Sequence, residues 1–238
     1  MVQAVYQYYN RAPFVIIGRK DRGIDGNFKS LQGKKVAAAA VESTRRAWPM
    51  VAHKTGIKPD AFQWQTTDFS ARDNVVVRGD VDAATYFHDS AVSLFARVKQ
   101  EELSVLKYAD AGVNLYGNAI LASSNLVAQN PKVVEAFLRA TNRAIVETLA
   151  NPGPSIAAVR QREPILVEKV ELDRWGITAQ YVAAPDTRGH GLGDIRKLML
   201  EQQVDEVVDV FGLKIKPSAD AIFNGSMLPA RSERMVKV

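Results

Sequence analysis

Residues 31–53, LQGKKVAAAAVESTRRAWPMVAH, constrain the fold more than any other stretch of the chain. After Lys34 and Lys35, residues 36–41 are small and apolar, the pattern of a strand buried on both faces. Glu42, Ser43 and Thr44 follow, with hydroxyls suited to capping a helix. The N–H groups of that first helical turn lack intrahelical partners and face whatever lies above the strand, and Arg45 and Arg46 place positive charge beside them. Such a strand–turn–helix suits an anionic or polar ligand group. The plainer alternative stays open: one hydroxyl caps the helix and the arginines are solvated.

A second turn of the same kind lies at residues 80–90, DVDAATYFHDS. Thr85, Tyr86 and Phe87 read as a strand, and His88, Asp89 and Ser90 open an amphipathic helix reaching Lys99. Two strand-to-helix turns belong on one edge of a parallel sheet, and ligands of open α/β sheets sit at the carboxyl ends of strands. Residues 43–46 and 86–89 are therefore the first candidates for a binding site.

The rest of the chain fills in around these turns. Residues 2–10 read as a strand from the second residue, residues 14–19 (FVIIGR) as another extended segment, and residues 20–27 as a loop. Residues 62–66 form a short alternating strand, and residues 68–78 a helix stopped by Gly79. The order from residue 36 to 108 predicts a compact α/β lobe with a mostly parallel sheet. Residues 115–122 are extended, with Asn114, Tyr116 and Asn118 alternating with apolar neighbours. The second half is largely helical: a strong helix over 132–149, with Val133, Val134, Phe137 and Leu138 near helical spacing, then helical segments at 155–162, 164–175 and 194–211.

Composition excludes several functions. A chain of 238 residues, 47% of them hydrophobic, can bury a real core. The net charge of +5 is spread without an aromatic–basic stripe, so nucleic acid is not an expected partner. No cysteine is present, which removes disulfides, thiolate metal sites and cysteine nucleophiles. His53, His88 and His190 have no paired metal-ligand spacing, so neither a metal nor a cofactor is expected. The glycines of residues 189–193, GHGLG, follow no strand and read as a flexible connection rather than a phosphate loop.

Several ordered segments carry a resemblance: YQYYNRAPFVIIGRKDRGI, LQGKKVA, RGDVDAATYF, YADAGVNLYGNAILASSNLVAQNPKVVEAFLRATNRA and VFGLKIKPSADAIFNGSMLP. Together they resemble the SsuA-like and thiamine-pyrimidine-precursor-binding group of type II periplasmic solute-binding proteins, which serve ABC importers. The resemblance implies an α/β protein of two lobes joined by two hinge strands that closes on a small aromatic or anionic ligand and does no chemistry. It implies residues 1–12 as the remnant of lobe 1 and the first hinge, 13–113 as a complete lobe 2, and 114–238 as the second hinge and the return to lobe 1. Lobe 1 is expected to lack the family's N-terminal part, leaving an incomplete lobe open to self-association. Ligand contacts are expected from Tyr9, Asn10, Ser43, Thr44, Arg45, Tyr86, His88, Asp89, Asn114, Tyr116 and Asn118. An ABC permease is the implied partner, and the periplasm or a membrane-anchored extracytoplasmic site the implied location. One branch of the family is a pyrimidine synthase built on a cysteine cluster, which a chain without cysteine does not support. A ligand-sensing effector domain of a regulator is the alternative class.

Overall fold

The computed structural model describes residues 2–236, the Arg188 side chain excepted. Its strands are β1 (Val2–Tyr6), β2 (Phe14–Arg19), β3 (Lys35–Ala38), β4 (Gln63–Thr66), β5 (Ala83–Phe87), β6 (Leu103–Lys107) and β7 (Ile120–Ser123). Between and after them come helices α1 (Ser43–Thr55), α2 (Arg72–Arg78), α3 (Val92–Phe95), α4 (Ser124–Gln129), α5 (Pro131–Ala150), α6 (Pro152–Arg162) and α7 (Glu168–Val182). The chain finishes with α8 (Thr187–His190), α9 (Lys197–Phe211), α10 (Ala219–Ile222) and α11 (Arg231–Arg234). Two units are formed: Pro13–Asn114, and Met1–Ala12 together with Leu115–Val238.

The unit Pro13–Asn114 is built on a five-stranded sheet in the order β4-β3-β5-β2-β6. β3 pairs parallel with β4 and β5, whereas β2 runs antiparallel between β5 and β6. The sheet is thus mostly parallel, as its sequence pattern predicts, with FVIIGR inserted as the one reversed strand. β2 is apolar on both faces because it is interior. Val15 and Ile17 lie opposite Tyr86 and Ala84 and join Val75, Val76 and Leu94 in one core cluster. At Gly18 a Cβ would come within 2.7 Å of Ile24 Cγ1, so a side chain there has no room. Trp48 of α1 anchors a further aromatic group, 4.7 Å from the Phe62 ring and 6.2 Å from Phe28, and its Nε1 donates to Pro59 O at 2.9 Å.

Several elements are shorter or shifted from the sequence reading. β3 ends at Ala38, and Val41, expected inside a buried strand, is 68% exposed because the chain has already turned toward α1. α2 begins at Arg72 rather than residue 68, since residues 68–71 form a turn closed by Ala71 N donating to Asp68 O. The helix expected through Lys99 is a 3-10 turn, His88–Ala91, followed by the short α3. α7 starts later and runs past Gly176, because Tyr181 and Val182 at its far end pack into the core of their unit.

In the other unit β1 and β7 pair antiparallel, from Val2 opposite Ser123 to Tyr6 opposite Ile120. Beyond Tyr6 the chain leaves the ladder but stays tied to the segment before β7: Tyr9 N donates to Asn118 O, Gly117 N to Tyr9 O and Ala12 N to Leu115 O. The buried Gln7 side chain donates to the carbonyls of Tyr9, Gly117 and Asn118, fixing this crossing. Gly117 is required by the close approach, for a Cβ there would meet Tyr9 Cβ at 2.7 Å. Residues 189–193 are a packed turn rather than a loose connection. Leu192 is buried, and the Arg234 guanidinium donates to the carbonyls of His190 and Leu192 and to Asp194.

α5 turns a narrow stripe inward. Val134, Leu138 and Asn142, spaced by four, are buried, and Asn142 accepts from Tyr6 Oη at 2.9 Å. Val133 and Phe137, expected on that stripe, lie about a quarter-turn round the helix, and Phe137 is 57% exposed. Leu138→Ala is expected to cost about 2–5 kcal/mol of stability, and Phe137→Ala no more than about 0.5–1 kcal/mol. Urea unfolding of both variants checks this; equal losses would place the buried stripe on the wrong face.

Candidate functional site

The carboxyl ends of β3 and β5 are adjacent, since β3 and β5 pair in parallel. Both strand-to-helix turns therefore meet at one edge of the Pro13–Asn114 unit, where an open cavity of about 470 Å3 lies. Apolar side chains line it: the exposed Val41, the 57% exposed Phe69 and the half-buried Phe87. Ser43, Asp89 and Ser90 add polar groups, and Glu42 and Arg72 complete the wall.

Glu42, which precedes α1, organises this edge. Its side chain makes no capping bond to the helix and is buried instead. One carboxylate oxygen accepts from Thr85 Oγ1 at 2.7 Å and from Ala39 N at 3.2 Å, while the other accepts from Arg72 Nη1 at 2.9 Å. These bonds join the end of β3, the start of α1, β5 and α2. Arg72 is only 6% exposed; its guanidinium lies 4.2 Å from the Tyr86 ring centroid and 5.2 Å from that of Phe69. Its Nε has no acceptor among the described residues. Neither Glu42 nor Arg72 was singled out as a binding residue in the sequence. The signal for Glu42 was a carboxylate directly after a buried apolar strand; Arg72, inside a helix, offered none.

The predicted contact residues fall into different places. Ser43 and Asp89 line the cavity, with His88 next to it in sequence. Thr44 and Tyr86 are fully buried and do not line the cavity. Thr44 Oγ1 donates to Tyr86 O at 3.3 Å, and Tyr86 Oη donates to Asp73 at 2.8 Å. Burial, helped by the Asp73 carboxylate, holds the Tyr86 phenol well above its ordinary pKa, so it keeps its proton. Arg45 leans toward β4, donating to Thr66 Oγ1 at 3.0 Å and lying 5.2 Å from the Trp64 ring centroid. It does not line the cavity, because the aromatic face and the hydroxyl hold it elsewhere. Asn114 is exposed at the end of this unit.

The remaining four residues belong to the other unit. Tyr9 and Asn10 are buried, the Tyr9 ring tilted by 37° against Tyr8 with centroids 4.8 Å apart and Asn10 Oδ1 accepting from Arg11. Asn118 is exposed, and its carbonyl is engaged by Tyr9 N and Gln7. Tyr116 is half-buried, with its hydroxyl accepting from Arg196 N at 2.8 Å. Among the described residues no cluster of three or more His, Asp or Glu could hold a metal ion, and no helix is long and apolar enough to cross a membrane.

Comparison with known proteins gives the same frame. A family model described as NMT1/THI5 like matches residues 1–155. The riboflavin-binding protein RibY of Chloroflexus aurantiacus is 49% identical over 51 residues, which is 21% of this chain and only 14% of that protein. Among solved structures, the aliphatic sulphonate binding protein SsuA of Escherichia coli aligns with a TM-score of 0.70 at 16% identity, over 93% of this chain and 72% of that one. A Staphylococcus aureus ligand-binding component of an ABC-type import system, solved with zinc bound, gives 0.69 at 14% identity, over 98% and 75%. The desulfurization enzyme DSZB gives 0.57 at 12% identity, over 98% and 79%, so the fold also carries chemistry in other chains. At these identities the likeness establishes the fold, an α/β periplasmic-binding-protein architecture.

Two measurements test the edge. Glu42→Gln leaves the buried Arg72 charge uncompensated and is expected to cost about 3–5 kcal/mol. The double variant Glu42→Leu/Arg72→Leu is expected to lose less than the sum of the single changes, which a double-mutant cycle in urea reads directly. The second measurement concerns His88, whose pKa is lowered to about 4 by burial, with Lys107 contributing and Asp89 opposing. A folded pKa below the unfolded value of about 6.5 means that the unfolded chain binds the proton first. Stability from neutral His88 is complete above about pH 6.5 and is lost as pH falls toward about 4, by an amount on the order of 2 kcal/mol. His88→Gln should flatten that segment of the stability–pH profile; an unchanged slope would remove His88 as its cause.

Proposed function

This chain belongs to the NMT1/THI5-like family, and on that footing we propose that it is the solute-binding component of an ABC-type importer, acting outside the cytoplasm with a membrane permease as its partner. Ligand-driven hinge closure at the two chain crossings, near residues 12–13 and 114–115, is part of the same reading. The ABC-import and SsuA structural neighbours support the transport role. The cavity at the β3 and β5 ends supports the choice of ligand.

That ligand is a flat, uncharged heteroaromatic molecule. The observation that carries this is the Arg72–Glu42 ion pair, 2.9 Å apart with both side chains buried. Arg72 has its charge compensated inside the protein, and Asp89 places a further carboxylate on the cavity wall. A free sulfonate, nitrate or carboxylate would meet no uncompensated cation there and would face Asp89. A planar ring instead meets Phe69, Phe87 and Val41, and a ring carbonyl or nitrogen can accept from Arg72 Nε. The riboflavin named for the RibY relative has this chemistry. Ser43 and Asp89 would contact the ligand directly, with Thr44 and Tyr86 supporting the wall from beneath.

Calorimetric titration of the chain with riboflavin, cytosine, methanesulfonate and nitrate tests the reading. Binding of at least one ring compound and neither anion is expected, with Phe69→Ala weakening it about tenfold through loss of an aromatic contact. Tight binding of an anion without a ring compound would overturn the ligand class. Small-angle scattering that shows no compaction on saturation would remove the closure step.

A further inference from the structure

A second cavity, of about 250 Å3, lies within the unit containing residues 115–238. Its wall comes from α9, through Leu200, Val204 and Val207, together with Leu213 and Ile222. Two polar residues interrupt this apolar lining, Gln203 and Tyr116. No charged side chain contributes to it.

Gln203 is 7% exposed, and its amide orientation is set by a backbone group. Tyr116 N lies 3.0 Å from the Gln203 side chain and can only donate, so the amide atom facing it is Oε1. The NH2 group is thereby left on the other side, and Nε2 has no acceptor among the described residues. A buried donor in an apolar wall has lost its hydration without replacement, a state that structures seldom keep without a reason. Tyr116 adds a second donor. Its hydroxyl oxygen accepts from Arg196 N, which leaves the phenolic proton for another acceptor. Burial raises its pKa, so the proton is retained at neutral pH.

We infer that this cavity is a second binding site, distinct from the edge of the five-stranded sheet, for a small uncharged molecule with an aliphatic body and one carbonyl oxygen. The oxygen accepts from Gln203 Nε2, with the Tyr116 hydroxyl as the second donor. The aliphatic body covers Leu200, Val204, Val207 and Ile222. A carboxylate is the poorer ligand, because no cation lines the cavity to offset its desolvation. The inference is independent of the importer reading, since it rests on a different unit and different residues.

The test is a titration of the isotopically labelled full chain with 2-octanone, followed by NMR of the Gln203 side-chain NH2 and the Tyr116 backbone amide. Saturable shifts of both signals are expected, with n-octane and octanoate each binding about tenfold more weakly or not at all. Gln203→Met, which removes the donor, is expected to weaken 2-octanone about five- to tenfold. Val207→Trp fills the cavity without touching a hydrogen bond and is expected to abolish binding, so the proposal stays testable if Gln203→Met fails to fold. Absence of saturable shifts with 2-octanone, equal binding of n-octane, or binding unaffected by Val207→Trp would each overturn it.

Discussion

The ion pair between Glu42 and Arg72 is the interaction on which this sheet edge depends. A carboxylate and a guanidinium taken out of water each lose strong hydration, and their attraction offsets that loss only when the remaining donors and acceptors are also met. Glu42 meets this condition with Thr85 Oγ1 and Ala39 N as well as Arg72. The consequence is geometric: the turn between β3 and α1, the strand β5 and the helix α2, three separate stretches of the chain, converge on one side chain. The Tyr86 ring under the Arg72 guanidinium then closes the wall from below, with its hydroxyl tied to Asp73 on the same helix.

On the reading proposed above, that arrangement also sets what the edge recognises. An arginine beside a helix start invites an anion when its charge is free. Here Arg72 is neutralised internally and Arg45 is drawn to Trp64 and Thr66, so neither of these guanidinium groups is left for an anion in the cavity. The cavity lining then presents the apolar and aromatic groups of Val41, Phe69 and Phe87 beside the polar Ser43, Asp89 and Ser90. The electrostatics therefore separate two ligand classes that a list of residue types leaves together.

The other unit relies on a different device. Its crossing segments are held by backbone hydrogen bonds and by the Gln7 amide, with Gly117 allowing the close approach to Tyr9. Arg234 does the same for the turn at residues 189–193, reaching the carbonyls of His190 and Leu192 from more than forty residues away. In both places a long polar side chain satisfies backbone carbonyls that have no ladder or helix partner, which is the general requirement for irregular backbone inside a core.

Much of the architecture was legible in the sequence because it depends on local periodicity. The apolar run before Glu42, the strand ending at Phe87 and the strong helix over α5 each announce themselves through burial patterns that neighbouring residues carry together. The ordered family segments added the fold and the family itself. The direction of a strand within its sheet is not a local property, so FVIIGR showed itself as extended without showing that it runs against its neighbours. Side-chain destination is even less local. Thr44 and Tyr86 stand at the turns that the sequence marks, yet their side chains are buried, and Arg72 lines the cavity from a helix that carries no motif. The sequence by itself determined where the principal strands and helices lie, though not where each ends, and that two turns share one sheet edge, since those follow from spacing. Only the tertiary structure decided which charges face one another, because that depends on distances between residues far apart in the chain, such as Glu42 and Arg72.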